Sequence, residues 1–174
     1  MTSSALRKLY MVCKTPLHVQ EHMKQVASVA ESMAKKIKRN GHDVDVTFTK
    51  NLALIHDLMK ALSFKENKKI NIHDVVITSE ILAEHKEKDL ARAVLSQQFD
   101  AVISKTHPLK SIEEMIVYYA DKRVAHTDIV SLEERFEEGS KRYGKRNKNI
   151  EKEIRALEEE LSCMAGKNLA TVRF

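Results

Sequence analysis

Helix breakers are scarce in this chain of 174 residues. It has only two prolines and four glycines, at Pro16, Gly41, Pro108, Gly139, Gly144 and Gly166, so long stretches contain nothing that must interrupt a helix. There is no tryptophan, and aromatic residues make up 5% of the chain. The two cysteines, Cys13 and Cys163, are far apart and lack CxxC spacing, which excludes a disulfide scaffold or a cysteine zinc site and fits a reducing cytoplasm. No apolar run approaches the roughly 18 residues of a membrane span, and Leu9 to Cys13 behind Arg7 and Lys8 is too short for a signal-peptide core. Neither charge sign dominates: 30 basic against 25 acidic residues leave +5, a modest bias toward anionic partners. Collagen-like, knottin-like and disordered classes are excluded, because 43% apolar residues suffice for one packed core.

What is present is helical periodicity. Thr15-Pro16 reads as a cap and first turn, followed by Val19, Met23, Val26, Ala30, Met33 and Ile37 at alternating spacings of 4 and 3, up to Asn40-Gly41. A second helix is expected from about Thr47, turning Leu52, Leu54, Ile55, Leu58, Met59 and Leu62 inward, before a lysine-rich loop over 64–69. A third covers about 71–84. A fourth covers about 89–106 and closes before Pro108, since the residue preceding a proline disfavours helical geometry. Ser111-Ile112-Glu113-Glu114 and Ser131-Leu132-Glu133-Glu134 read as capping boxes that open two more helices. The last helix, about 147–164, lines up Ile150, Ile154, Leu157, Leu161 and Met164, a stripe suited to packing on the domain or on a second subunit. The expectation is an all-α single domain, residues 1–174, of about six to seven helices with an amphipathic C-terminal helix.

Eight histidines point to metal or proton chemistry. The sharpest feature is Leu54-Ile55-His56-Asp57-Leu58-Met59-Lys60, a His-Asp pair inside one of the most apolar stretches. Burying an ionised Asp57 costs several kcal/mol unless a cation or hydrogen bonds compensate, and a divalent metal does so. His42-Asp43 beside Gly41 reads as a solvated turn, and His73-Asp74 lacks apolar flanks on both sides. On a helical wheel His22 falls about 20° from Val29 and Met33, so it turns toward the core. His18 flanks the same surface one turn earlier. Asp121 lies about 40° from Val117, another carboxylate with apolar neighbours. His22, His56, Asp57 and Asp121 together suit a divalent ion that keeps positions open for water and substrate.

These residues resemble the HD-domain metal-dependent phosphohydrolases, whose pattern is a first histidine, a His-Asp pair and a distant aspartate on a helical bundle. The likeness runs from Pro16 to about Arg135: Pro16-Leu17-His18-Val19-Gln20-Glu21-His22, then Leu54 to Lys60, then Ile116-Val117-Tyr118-Tyr119-Ala120-Asp121-Lys122-Arg123-Val124. It implies an HD-type core over about 16–135 with a C-terminal helical extension over about 136–174. It also implies hydrolysis of a phosphate ester, a monoester or a diester and typically of a nucleotide, with one or two divalent ions per chain (Mn, Co, Ni, Fe, Mg or Zn). His73 and His107 stand where some members hold a second metal. Lys60 and Arg123, close to the ligands in sequence, are candidates to neutralise phosphate oxygens, with His18 as a further substrate contact. Asp57 is both ligand and candidate proton acceptor.

Two other readings come from different classes. One is an HD-type nucleotide-binding or signalling module that keeps the metal site without turnover and docks a nucleotide or a partner through the C-terminal helix; on either reading that helix is also the expected surface for a homodimer. The other is an RNA-binding helical protein using Lys141, Arg142, Lys145, Arg146 and Lys148. The acidic residues on either side of that basic stretch favour a solvated helix junction instead.

Overall fold

The computed structural model describes residues 1–60, 73–144 and 146–172, apart from the side chains of His73, Arg142 and Tyr143. The lysine-rich loop expected over 64–69 lies outside the described residues. The helices, in chain order, are α1 (Ser3–Val12), α2 (Leu17–Arg39), α3 (Val46–Ala53), α4 (His73–Glu84), α5 (Lys88–Val94), α6 (Ile112–Lys122), α7 (Leu132–Tyr143) and α8 (Lys148–Ala165). A two-stranded antiparallel hairpin, β1 (Val124–Ala125) and β2 (Asp128–Ile129), links α6 to α7, with Val124 opposite Ile129 and Ala125 opposite Asp128. Among the described residues the architecture is all-α apart from this hairpin. Among the described residues no helix is long and apolar enough to cross a membrane.

The organising element is α2, whose 23 residues span roughly 35 Å. Its expected stripe, Val19 to Ile37, is buried, and α3, α6 and α8 pack against it. Pro16 takes the N-cap with extended backbone and no side-chain cap. Thr15, expected as the capping residue, instead sends its hydroxyl to the Leu58 carbonyl at 3.0 Å. The helix ends where Gly41 adopts φ of +94°, a conformation open mainly to glycine.

Several boundaries differ from the sequence reading. The segment expected to be one helix from about Thr47 to Leu62 stops at Ala53, and residues 54–59 form consecutive turns. The expected fourth helix is the short α5, followed by 3₁₀ turns at Leu95–Gln97 and Ala101–Ile103. Helix α1 and the hairpin were not expected. Ser131 forms the full capping box, whereas at Ser111 only half of it forms. There the buried Glu114 carboxylate turns away to accept from the Lys110 amide at 2.8 Å and from Arg92 at 3.2 Å.

Helix α8 buries Ile150, Ile154, Leu157 and Leu161 within its own chain, packing on α2 and α6. The stripe proposed for a homodimer is therefore already covered. In the basic stretch, Arg146 is paired to Glu133 at 2.8 Å and to Glu151 at 2.7 Å, which leaves less free positive charge for RNA than the sequence offers.

Arg123 is the other correction. Its side chain is buried, and its guanidinium donates to the Tyr119 hydroxyl at 2.7 Å and to the carbonyls of Val130 at 2.7 Å and Leu169 at 2.6 Å. Glu158 of α8 lies 3.8 Å from the same guanidinium and accepts from Tyr119 at 2.5 Å. A guanidinium so engaged ties the C-terminal segment to the end of α6 and is withdrawn from any substrate phosphate. Arg123→Met leaves Glu158 and the two carbonyls short of a donor, and is expected to cost about 3–5 kcal/mol of unfolding free energy, read by urea denaturation.

Candidate metal centre

Three segments meet at the middle of the bundle: the second turn of α2, the turns after α3 and the last turn of α6. They bring His22, His56, Asp57 and Asp121 together, with one ligand atom from each lying within 4.8 Å of all the others. Two donors on one ion at about 2.1 Å are at most ~4.2 Å apart, so a small contraction fits these four to a single divalent cation.

The turn segment shows how the backbone makes room for this. Leaving α-geometry after Ala53 lets three carbonyls of this segment accept from side-chain donors. His56 Nδ1 donates to the Ala53 carbonyl at 2.7 Å, the Tyr10 hydroxyl to Leu54 at 2.7 Å, and the Thr15 hydroxyl to Leu58 at 3.0 Å. Helix α1 and the α1–α2 link thus hold the His-Asp pair in place. Backbone bonds of the i to i−3 type at Ile55, Leu58 and Lys60 tighten the run.

Both histidines are oriented by carbonyls. His22 Nδ1 donates to the carbonyl of His126 at 2.8 Å, and His126 itself sits at the hairpin tip with φ of +55°. A carbonyl only accepts, so in each ring the Nδ1 carries hydrogen and the neutral tautomer leaves an Nε2 lone pair facing inward. His56 is 3% exposed, and its Nε2 is buried without a hydrogen-bond partner. His22 Nε2 faces Asp121 Oδ1 at 3.1 Å, and His56 Nε2 lies 3.6 Å from the same oxygen and 3.8 Å from Asp57 Oδ2. These are four acceptors turned toward one point. Either the rings take up second protons or a cation stands among them, and the orphaned Nε2 of His56 is the atom a metal satisfies.

The outer oxygen of each carboxylate is engaged elsewhere. Asp57 Oδ1 accepts from Lys60 at 3.1 Å, and Asp121 Oδ2 from Lys122 at 2.7 Å. Burial opposes ionisation of both aspartates. For Asp57 the charges of Lys60 and His56 outweigh it and hold the carboxyl below the usual range. For Asp121, Lys122 together with the neighbouring imidazoles of His22 and His56 holds it well below. The Asp57 charge in turn raises the Lys60 ammonium above an ordinary lysine. Arg135 on α7 pairs with Glu138 at 2.6 Å. Burial works against its charge, but the charges of Asp121, Glu138 and Asp57 together outweigh that and raise its pKa above an ordinary arginine.

His18 is solvent-exposed on α2 and stands outside the four-residue group. His107 is half-buried in the loop after the 3₁₀ turns and, among the described residues, does not join a ligand cluster. His73 opens α4, but its side chain lies outside the described part, so the described residues assemble one group of ligands rather than two. Lys122, Arg135 and the carbonyls of Ala53 and His126 were missed by sequence reasoning. Lys122 was signalled by its position next to Asp121. A carbonyl carries no sequence signal at all.

The metal-free centre makes stability depend on pH. For His56, burial opposes the proton, but Asp57, Asp121 and the Ala53 carbonyl together outweigh it and raise its pKa above the ordinary 6.5. A group raised on folding contributes stability that is fully present below the unfolded value and is lost as pH rises through the folded value. Both aspartates stay ionised throughout that window. Chelator-treated protein is therefore expected to melt at progressively lower temperature as the pH is raised above 6.5. With saturating Mn²⁺ the trend reverses, because metal binding requires the deprotonated imidazole. Thermal unfolding at several pH values, with EDTA and with Mn²⁺, reads both slopes.

Comparison with known proteins agrees with this geometry. A protein of Methanocaldococcus jannaschii described as uncharacterized is 26% identical over 156 residues, covering 83% of this chain and 88% of that protein. No solved structure gives a significant match. The sequence model of the HD domain matches residues 19–125, which takes in His22, the His56-Asp57 pair and Asp121 in order, and the chain belongs to the HD domain family.

Proposed function

We propose that this protein is a metal-dependent phosphohydrolase that cleaves a phosphate ester of a small nucleotide-like substrate. The observation that carries the reading is the orphaned Nε2 of His56, buried among three other acceptors that only a proton or a cation reconciles. Membership of the HD domain family supports the reaction class. His22, His56, Asp57 and Asp121 are the residues that would hold the ion. When bound, a divalent ion lowers the pKa of a coordinated water toward neutrality and offers a Lewis-acid contact to a phosphoryl oxygen.

The chain's own groups supply the rest. His22 and His56 are held by the carbonyls of His126 and Ala53, which fixes each ring so that its Nε2 points to where the ion would sit. Lys60 retains 36% side-chain exposure, so its ammonium can turn from Asp57 to a substrate oxygen that replaces the carboxylate as its partner. That exchange also restores basicity to Asp57, whose carboxylate is weakened as a base while Lys60 holds it. Asp57 then accepts the proton of the attacking water at the oxygen Lys60 released. Arg135, whose charge acts on both aspartates, takes the phosphate-neutralising role first assigned to Arg123, and Glu138 holds it ready. A nucleotide suits this centre because Lys60 and the nearby charge of Arg135 favour an anionic ester over neutral compounds.

The test is phosphate release from a panel of nucleoside monophosphates and cyclic diesters, with Mn²⁺, Co²⁺, Ni²⁺, Mg²⁺ or Zn²⁺ added in turn. The expected result is turnover on at least one ester, reduced to background by Asp57→Ala, and lowered about a hundredfold in kcat/KM by Lys60→Ala. Metal uptake without turnover on any ester would replace this reading with a nucleotide-binding or signalling module.

A further inference from the structure

The two lysines that touch the ligand carboxylates are not equivalent. Lys60 is over a third exposed, whereas the Lys122 side chain is 9% exposed. The Lys122 ammonium meets Asp121 Oδ2 at 2.7 Å on one side. On the other it lies 4.5 Å from the centre of the Tyr118 ring and 5.8 Å from that of Phe99. The two rings are joined: the Tyr118 hydroxyl donates to the Phe99 carbonyl at 2.7 Å. Tyr118 is fully buried within α6, and Phe99, between the two 3₁₀ turns, is 48% exposed and closes the cage from outside.

We infer that Lys122 is a positioning residue for the metal ligand Asp121, confined by the Tyr118–Phe99 aromatic cage so that only Oδ1 is presented to His22 and His56. A free carboxylate rotates about its terminal torsion and can offer either oxygen or both. Lys122 removes that freedom. Its ammonium sits between a carboxylate and two π faces, the arrangement in which a buried lysine is best compensated. The cage also separates it from the role given to Lys60: an ammonium so enclosed cannot swing to substrate without losing both aromatic contacts. This inference rests on the metal reading above and concerns one ligand within it.

Metal affinity tests it, because positioning and simple electrostatics act with opposite sign. If Lys122 were only a nearby positive charge, Lys122→Met would remove repulsion and tighten binding of a divalent cation. If it positions Asp121, the same substitution weakens binding, by roughly ten- to a hundredfold, the usual effect of losing a partner behind a ligand. The experiment is calorimetric titration of Mn²⁺ into metal-free wild-type, Lys122→Met, Lys122→Arg and Phe99→Leu protein, without substrate. The expected order is wild type tightest, Arg next, then Met. Phe99→Leu weakens binding several-fold because it opens the cage while leaving the charge in place. Phe99 is half-exposed, so that variant decides the question even where Lys122→Met does not fold. Equal or tighter binding by Met and Leu variants, with wild type binding normally, overturns the positioning role and leaves the metal centre intact. Failure of wild-type protein to bind Mn²⁺ overturns the metal reading itself.

Discussion

Four acceptor atoms converge where α2, the turns after α3 and the end of α6 meet, and their lone pairs repel unless something positive lies among them. Much of the surrounding structure serves to hold them there despite that repulsion. Carbonyls fix the far side of each imidazole, and lysines fix the far oxygen of each carboxylate. The apolar packing of α2 and α6 prevents the four groups from separating into water, since Met23 and Val26 beside His22, and Val117 and Ala120 beside Asp121, are buried. The energy for this comes from the hydrophobic core, in which the site is a polar inclusion.

The organisation extends in both directions along the chain. Helix α1 contributes Tyr10, whose hydroxyl caps a carbonyl in the turn bearing His56 and Asp57. At the other end, Arg123 links the residues directly after Asp121 to Leu169 and to Glu158 of α8. The parts of the chain beyond the family's core therefore brace the two halves of the site from opposite sides. Arg123 stands two residues from Asp121, and adjacency in sequence suggested a role in binding phosphate. In three dimensions its side chain turns the other way, into the packing of the C-terminal segment.

Much of the fold was legible because periodicity and capping act locally. The stripe from Val19 to Ile37, the Ser131 capping box and the stripe from Ile150 to Leu161 all lie where spacing placed them. His22, His56, Asp57 and Asp121 were legible for a related reason: polar residues inside apolar periodicity must be compensated once buried. The break after Ala53 was not legible, because Leu52 to Met59 has helical composition and the tertiary donors that capture its carbonyls, Tyr10 and Thr15, are more than 40 residues away. The hairpin was missed because it has only two residues per strand and lacks the glycine-bearing turn that marks such elements, with His126 taking the left-handed position instead. The unequal surroundings of Lys60 and Lys122 were equally hidden. Each is a lysine near a ligand, and only burial and the aromatic cage distinguish them.

The central claim is that the inward Nε2 atoms of His22 and His56 form one cation site. It is tested most directly by ¹⁵N NMR of the imidazole nitrogens in metal-free protein titrated with diamagnetic Zn²⁺. The account predicts that both rings keep Nδ1 protonated throughout, and that the Nε2 resonances of these two histidines alone move together and saturate at a common stoichiometry. Nε2 signals at His22 and His56 that stay unchanged while Zn²⁺ binds elsewhere, or rings protonated on Nε2 rather than Nδ1, would contradict it.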